Sequence, residues 1–207
     1  MLGTMRRESS TVVVVVGEVR EALLAALAES PNIALVRPPA PEREPDRLTA
    51  AATALAEAGR RPAPFVLVPA DPLAGVAAEW RAMWDLSAGM PGAVAFEAQA
   101  AEALAAWRAK RFELPDYYLS LTPSTAAATG PDLYLGPLRA ARPRRVAAVL
   151  TAADDGQAAG QVRQALRELP HGPWWPPLDE LLGSARTFFA GSLGGSGVAT
   201  AGAAAPR

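Results

Sequence analysis

The hydrophobic pattern of the chain opens with an uninterrupted apolar run. Five consecutive valines, residues 12–16, stand directly before Gly17. Valine loses rotamer freedom in a helix and packs well on a pleated strand. A strand that is apolar at every position, rather than at alternate positions, is covered on both faces. The run therefore predicts a buried strand of a largely parallel sheet with helices on both sides.

Four further apolar runs alternate with segments of helical periodicity. Proline, glycine or polar residues bound them, as is typical of the ends of strands and helices. The predicted later strands are residues 33–36, 65–68, 117–121 and 146–150, and the predicted helices include 19–30, 46–58, 97–110, 156–169 and 178–189. Another helix is expected to begin at Asp71. This order predicts a three-layer α/β/α sandwich with a mostly parallel sheet of about five strands, similar in architecture to Rossmann-like or flavodoxin-like proteins.

The length of 207 residues suits one substantial domain with tails. We expect a flexible N-terminus over residues 1–10, a single α/β domain over 11–190, and a disordered Gly/Ala/Ser tail over 191–207. The valine run is too short for a membrane span or for the apolar part of a signal peptide. A cytoplasmic protein without a transmembrane segment is the simplest expectation.

Composition limits the available chemistry. The chain has no cysteine, one histidine (His171) and one lysine (Lys110). Thiolate chemistry is thereby excluded. No G-x-S-x-G elbow and no glycine-rich phosphate motif follows a predicted strand. The net charge of −1 provides no overall field that attracts nucleic acid, so a nucleic-acid partner is not expected. No motif identifies a cofactor or a metal site, and the sequence leaves open whether the protein is an enzyme.

The first group of candidate residues follows the predicted strands. Ligands of open α/β sheets bind beyond the carboxyl ends of the strands. The ligand-binding candidates at these ends are Glu18, Asp71, Thr122, Ser124, Thr125 and Asp154. Carboxylates suit a divalent cation, and hydroxyls beside free amides suit a phosphate. The simpler interpretation is that Asp71 and Asp154 cap helices and that residues 122–130 form a polar connecting loop.

The second group combines aromatic and basic residues. Trp174 and Trp175 stand between prolines, and Arg142, Arg144 and Arg145 form the densest basic cluster together with Arg139. Tryptophan is enriched at interface hot spots, which makes the pair a partner-binding candidate. The arginines are candidates for binding a nucleotide phosphate, an acidic partner or RNA. Alternatively, the arginines lie on a solvated loop and the tryptophans cover the core. Adjacent side chains of an extended segment point in opposite directions, so one ring is expected inside and the other outside.

Two functions fit these observations. The first is a non-catalytic protein-interaction or accessory module, with a protein partner or a second copy of the chain. The alternative is an α/β protein, with or without catalytic activity, that binds a small molecule, nucleotide or divalent cation at the carboxyl ends of its strands.

Overall fold

Five parallel strands form the centre of the structure. The computed structural model describes residues 10–40, 46–84, 91–124 and 132–195. Its elements are β1 (Thr11–Gly17), α1 (Glu21–Ala28), β2 (Ile33–Leu35), α2 (Asp46–Ala58), β3 (Phe65–Val68), α3 (Ala74–Met83), α4 (Pro91–Arg108), β4 (Tyr117–Pro123), a π-helical turn (Tyr134–Leu138), α5 (Arg139–Ala141), β5 (Val146–Thr151), α6 (Asp155–Arg167) and α7 (Leu178–Gly195). All strand pairs are parallel, in the order β2-β3-β1-β4-β5. The predicted α/β fold is confirmed. No helix in the described ranges is long and apolar enough to cross a membrane.

The valine strand β1 separates two hydrophobic cores. Val12 and Val14 belong to the larger core, together with residues of α2, α3, α4, the π-helical turn and α7. Val13 and Val15 belong to the smaller core, together with residues of α1 and α6. Because successive side chains of a strand point to opposite faces, a run without polar positions supplies both cores at once.

At the carboxyl end of β1, the connections that leave neighbouring strands run to opposite faces of the sheet. The connection that leaves β1 enters α1 beside the smaller core, whereas β3 and β4 lead into α3 and the π-helical turn beside the larger core. Adjacent strands whose connections leave on opposite faces create a crevice at this edge of the sheet. The carboxyl ends of β3, β1 and β4 are therefore the first place to look for a small-molecule site.

Gly17 is required by the backbone geometry at this crevice. Its φ of +89° lies in the region that favours glycine, and it pairs with Leu121 of β4. A Cβ at this position would collide with the Leu121 carbonyl oxygen. That oxygen also accepts a hydrogen bond from the Glu18 N–H at 3.1 Å. The glycine is thus explained by close contact between strands, without a nucleotide-binding role.

Helix α7 extends further than the sequence pattern predicts. The predicted end is residue 189, whereas the structure continues the helix to Gly195, five residues into the predicted tail. Phe188 and Phe189 pack against Trp80 of α3, with ring centroids 6.3 and 6.1 Å apart. Tertiary packing of this kind supports helices that glycine-rich sequence disfavours. Residues 1–9 and 196–207, which carry the rest of the predicted tails, lie outside the described residues.

Two glycine-to-alanine substitutions test the backbone argument. Gly17→Ala is expected to lower the free energy of unfolding by at least about 2 kcal/mol, because the new methyl group meets β4 and the φ angle is strained. Gly183→Ala in α7 meets no atom within 4 Å and is expected to stabilise by about 0.5–1 kcal/mol. Urea unfolding measures the free energy of unfolding of both variants. Equal stability of the two would contradict the conclusion that the backbone requires glycine at position 17.

Candidate functional site

Charged side chains at the carboxyl edge of the sheet are engaged with one another. Arg20, just before α1, donates to the carbonyl oxygens of Ala152 and Ala153 and lies 3.1 Å from the Asp155 carboxylate. Arg37, after β2, forms a bidentate pair with Glu21 at the start of α1. These contacts join the loops at this edge of the sheet. They also engage the Arg20 and Arg37 side chains, which would otherwise be available to bind an anionic ligand.

No hydrogen bond or ion pair joins the described ligand-binding candidates to one another. Glu18 is exposed, and Ser124 donates its backbone N–H to the Thr151 carbonyl at 2.9 Å. Thr122 is half-buried at the end of β4, while Thr125 lies outside the described residues. Asp154 caps α6 by accepting the Gln157 N–H at 2.8 Å. The described ranges contain no group of three or more acidic or histidine side chains that could hold a metal ion.

Asp71 is the exception, because its side chain turns into the larger core. It is only 6% exposed and accepts hydrogen bonds from the hydroxyls of Tyr134 at 2.6 Å and Tyr118 at 3.1 Å. The prediction that Asp71 is the N-cap of α3 is wrong, since the helix begins at Ala74 with Leu73 as the cap residue. Two phenol donors from distant parts of the chain, rather than the helix end alone, hold the carboxylate in place.

Burial dominates the electrostatics of this group. Desolvation raises the pKa of Asp71 to about 6, although hydrogen bonds from Tyr134, the Leu73 backbone and Tyr118 favour the charged form. Burial and the neighbouring Asp71 charge raise the pKa values of Tyr118 and Tyr134 well above their ordinary range. Both tyrosines therefore stay protonated as donors. The carboxylate can exchange a proton near neutral pH, but its immediate role is to connect β3, β4 and the π-helical turn.

The basic cluster and the tryptophan pair meet at the opposite, amino edge of the sheet. Residues 171–177, here called the Trp segment, run past the loop that precedes β5. Three arginines of that loop donate to backbone carbonyls of the segment. The contacts are Arg142 to Trp174 at 2.7 Å, Arg144 to His171 at 3.1 Å, and Arg145 to Gly172 at 2.7 Å and Pro173 at 3.0 Å.

The two tryptophans of the segment have different environments. Trp175 is 6% exposed and donates its indole N–H to the Pro115 carbonyl at 2.7 Å. Trp174 is 50% exposed, and the Arg145 guanidinium carbon lies 5.0 Å from its ring centroid and equally far from that of Tyr117. The expectation of one ring inside and one outside is confirmed. In the described ranges no carboxylate forms an ion pair with Arg142, Arg144 or Arg145.

A cleft of about 190 Å³ also opens at the amino edge, and no motif in the sequence indicates it. Its lining combines apolar residues with three charged ones: Val12, Leu55, Ala56, Lys110, Arg111, Phe112, Glu113, Leu114 and Pro115. The sequence pattern placed Lys110 inside a helix, whereas α4 ends at Arg108 and Lys110 has a φ of +56°. The lining residues come from β1, α2 and the segment after α4, so only the folded chain assembles them.

Comparison with known protein families, curated proteins and solved structures finds no match to this chain. Its function is therefore argued from the geometry of its own residues.

The pKa of Asp71 leads to a test of its role in stability. The folded-state pKa of about 6 lies above the ordinary 3.8, so the carboxyl contributes its full stability below about pH 4 and loses it as the pH rises through 6. The difference corresponds to about 3 kcal/mol by pH 8. Urea unfolding of the wild type from pH 4 to 8 is expected to show this loss relative to Asp71→Asn. Asp154→Asn, at the exposed cap of α6, serves as the control. If the free energy of unfolding depended on pH in the same way in the wild type and in Asp71→Asn, the raised pKa of Asp71 would be ruled out.

Proposed function

We propose that this protein is a non-catalytic protein-interaction module whose docking surface centres on Trp174. The observation that carries the proposal is a half-exposed indole held on the Arg145 guanidinium, in a segment fixed by three arginines. Tryptophan and arginine are, with tyrosine, the residue types enriched at interface hot spots. A single exposed apolar side chain on a surface is ordinary, so the argument rests on how this one is held.

Rigidity supports the proposal. Three prolines restrict the φ angles of the Trp segment: Pro173, Pro176 and Pro177. The arginines bond to four consecutive carbonyls, from His171 to Trp174. Buried Trp175 anchors the same backbone to Pro115. Because these contacts order Trp174 before any partner arrives, binding loses little conformational entropy.

Charge indicates the chemistry of the partner. Arg145 lies over the Trp174 ring, and Arg142 and Arg144 contact the backbone of the same segment. None of the three forms an ion pair with a carboxylate in the described ranges, so the surface is locally positive. An acidic protein segment with an aromatic residue or a proline for contact with the indole complements this surface. RNA fits less well, because the chain has a net charge of −1 and so provides no overall field that attracts nucleic acid.

A peptide-display selection tests the docking surface. A library of random dodecapeptides is selected on the wild-type protein after depletion on the Trp174→Ala variant. Enriched peptides are expected to carry Asp or Glu beside an aromatic residue or proline. Their affinity is expected to fall about tenfold or more with Trp174→Ala, and also to fall with rising salt. Fluorescence polarisation of labelled synthetic copies measures both effects.

The matched control is Leu150→Ala, which removes another exposed apolar side chain, 65% exposed on β5. This variant is expected to bind the selected peptides like the wild type.

Selected peptides without an acidic excess, or equal binding by Trp174→Ala, would overturn the proposal. Tighter Trp174-dependent binding of a single-stranded RNA probe would replace the protein partner with RNA. Dissociation of a wild-type dimer by Trp174→Ala in a sizing measurement would identify a second copy as the partner.

The small-molecule alternative has one supporting observation. A buried carboxyl group with a raised pKa, near the carboxyl ends of parallel strands, is typical of functional sites, and Asp71 has these properties. The hydrogen bonds from Tyr118 and Tyr134 also fit a purely structural role for Asp71. Only a ligand that binds there would therefore support the alternative.

Thermal melts in the presence of nucleotides and Mg²⁺ test this alternative. A ligand that binds the folded chain at about 100 times its dissociation constant stabilises it by about 2.7 kcal/mol, which corresponds to a shift of several degrees. If the alternative is right, the ligand raises the melting temperature of the wild type. It leaves the melting temperature of Asp71→Asn at the value measured for that variant without ligand. Absence of a shift with every compound, or an equal shift in both proteins, contradicts a site at Asp71.

A further inference from the structure

We propose that the cleft at the amino edge of the sheet binds a small organic monocarboxylate with an apolar body about as large as a phenyl ring or an isobutyl group. The cleft adjoins the Trp segment at Pro115, whose carbonyl accepts the Trp175 indole N–H, but neither Trp174 nor its arginines line it. The proposal does not depend on the interaction function. It rests on the apolar floor of the cleft, the charges at its rim and the backbone conformation of Lys110.

The floor of the cleft suits a small apolar group. Val12, Leu55 and Phe112 are at most 5% exposed, and Leu114 and Pro115 are also buried. An enclosed apolar cavity of about 150 Å³ accommodates benzene. The cleft has a similar volume, but it opens to solvent and charged residues form part of its lining. The volume of about 190 Å³ therefore admits a ring or a branched four-carbon chain together with one polar head group. It is too small for a nucleotide or a drug-sized ligand, whose pockets start at about 300 Å³.

The rim of the cleft selects the charge of the ligand. Lys110 and Arg111 contribute two positive charges and Glu113 contributes one negative charge, and all three side chains are exposed. In the described ranges no ion pair occupies either cation. The resulting net charge of about +1 matches a monocarboxylate, and both cations are hydrogen-bond donors that suit its oxygens.

Lys110 adopts a conformation that lysine disfavours. Helix α4 ends in a Schellman motif, in which the Arg111 N–H donates to the Ala106 carbonyl and the Lys110 N–H donates to the Trp107 carbonyl. The residue with positive φ in this motif is usually glycine, but here it is the only lysine of the chain. Glycine would relieve the strain, so a lysine here suits a function that needs its charge at the cleft.

A titration followed by ¹H–¹⁵N NMR tests the proposal. The probes are phenylacetate and 4-methylpentanoate, each with its neutral amide as the matched control. At least one carboxylate is expected to produce saturable shifts at residues 110–115, with a dissociation constant of about 0.1–1 mM. The corresponding amide is expected to bind about tenfold more weakly, because it lacks the charge that Lys110 and Arg111 recognise.

Lys110→Gly separates a binding role from a structural role. The substitution removes strain and is expected to raise the melting temperature by about 2–4 °C, while weakening carboxylate binding about fivefold or more. Lys110→Arg is expected to keep the affinity within about twofold, and Glu113→Gln to increase it, because a repulsive charge is lost. Wild-type affinity in Lys110→Gly, equal binding of acid and amide, or shifts that avoid residues 110–115 would each overturn the proposal.

Discussion

The burial of β1 on both faces is the constraint on which the rest of the structure depends. A strand that supplies two cores needs a parallel neighbour on each side and helices above and below it, and the chain provides both. Where β1 ends, Gly17 has a φ of +89° and lies so close to the Leu121 carbonyl of β4 that a Cβ would not fit. Polar chemistry is thereby confined to the two edges of the sheet, where the strands end.

The two edges of the sheet use their polar groups differently. At the carboxyl edge, Arg20 and Arg37 are paired with carboxylates or carbonyls, and Asp71 is covered by two tyrosines. At the amino edge, the arginines beside the Trp segment bond to neutral carbonyls, and within the described ranges neither they nor Lys110 and Arg111 form an ion pair. Uncompensated charge beside exposed apolar surface favours binding, which is why both proposals concern the edge opposite to the usual ligand crevice.

The sequence predicts what depends on neighbours along the chain. Consecutive valines and the alternation of helices and strands lead to the sheet and its two layers of helices. The cap at Asp154 is also a local feature. Asp71 shows the limit of this reasoning, because its hydroxyl donors lie 47 and 63 residues away and a local pattern indicates only a helix cap. The cleft at Lys110 was not predicted for the same reason, since its floor combines β1, α2 and the segment after α4.

The tryptophans and the arginines each had an ordinary interpretation when considered alone. Their contacts join them into one unit, in which the loop before β5 orders the Trp segment and Arg145 supports the exposed ring. The ordinary interpretation of the tryptophans, that they cover the core, applies to Trp175, which is buried and donates its indole N–H to the Pro115 carbonyl. Trp174 stays half-exposed, and the Arg145 guanidinium lies over both its ring and that of buried Tyr117. These contacts fix the direction of an exposed indole, and this order is the physical basis of the proposed docking surface.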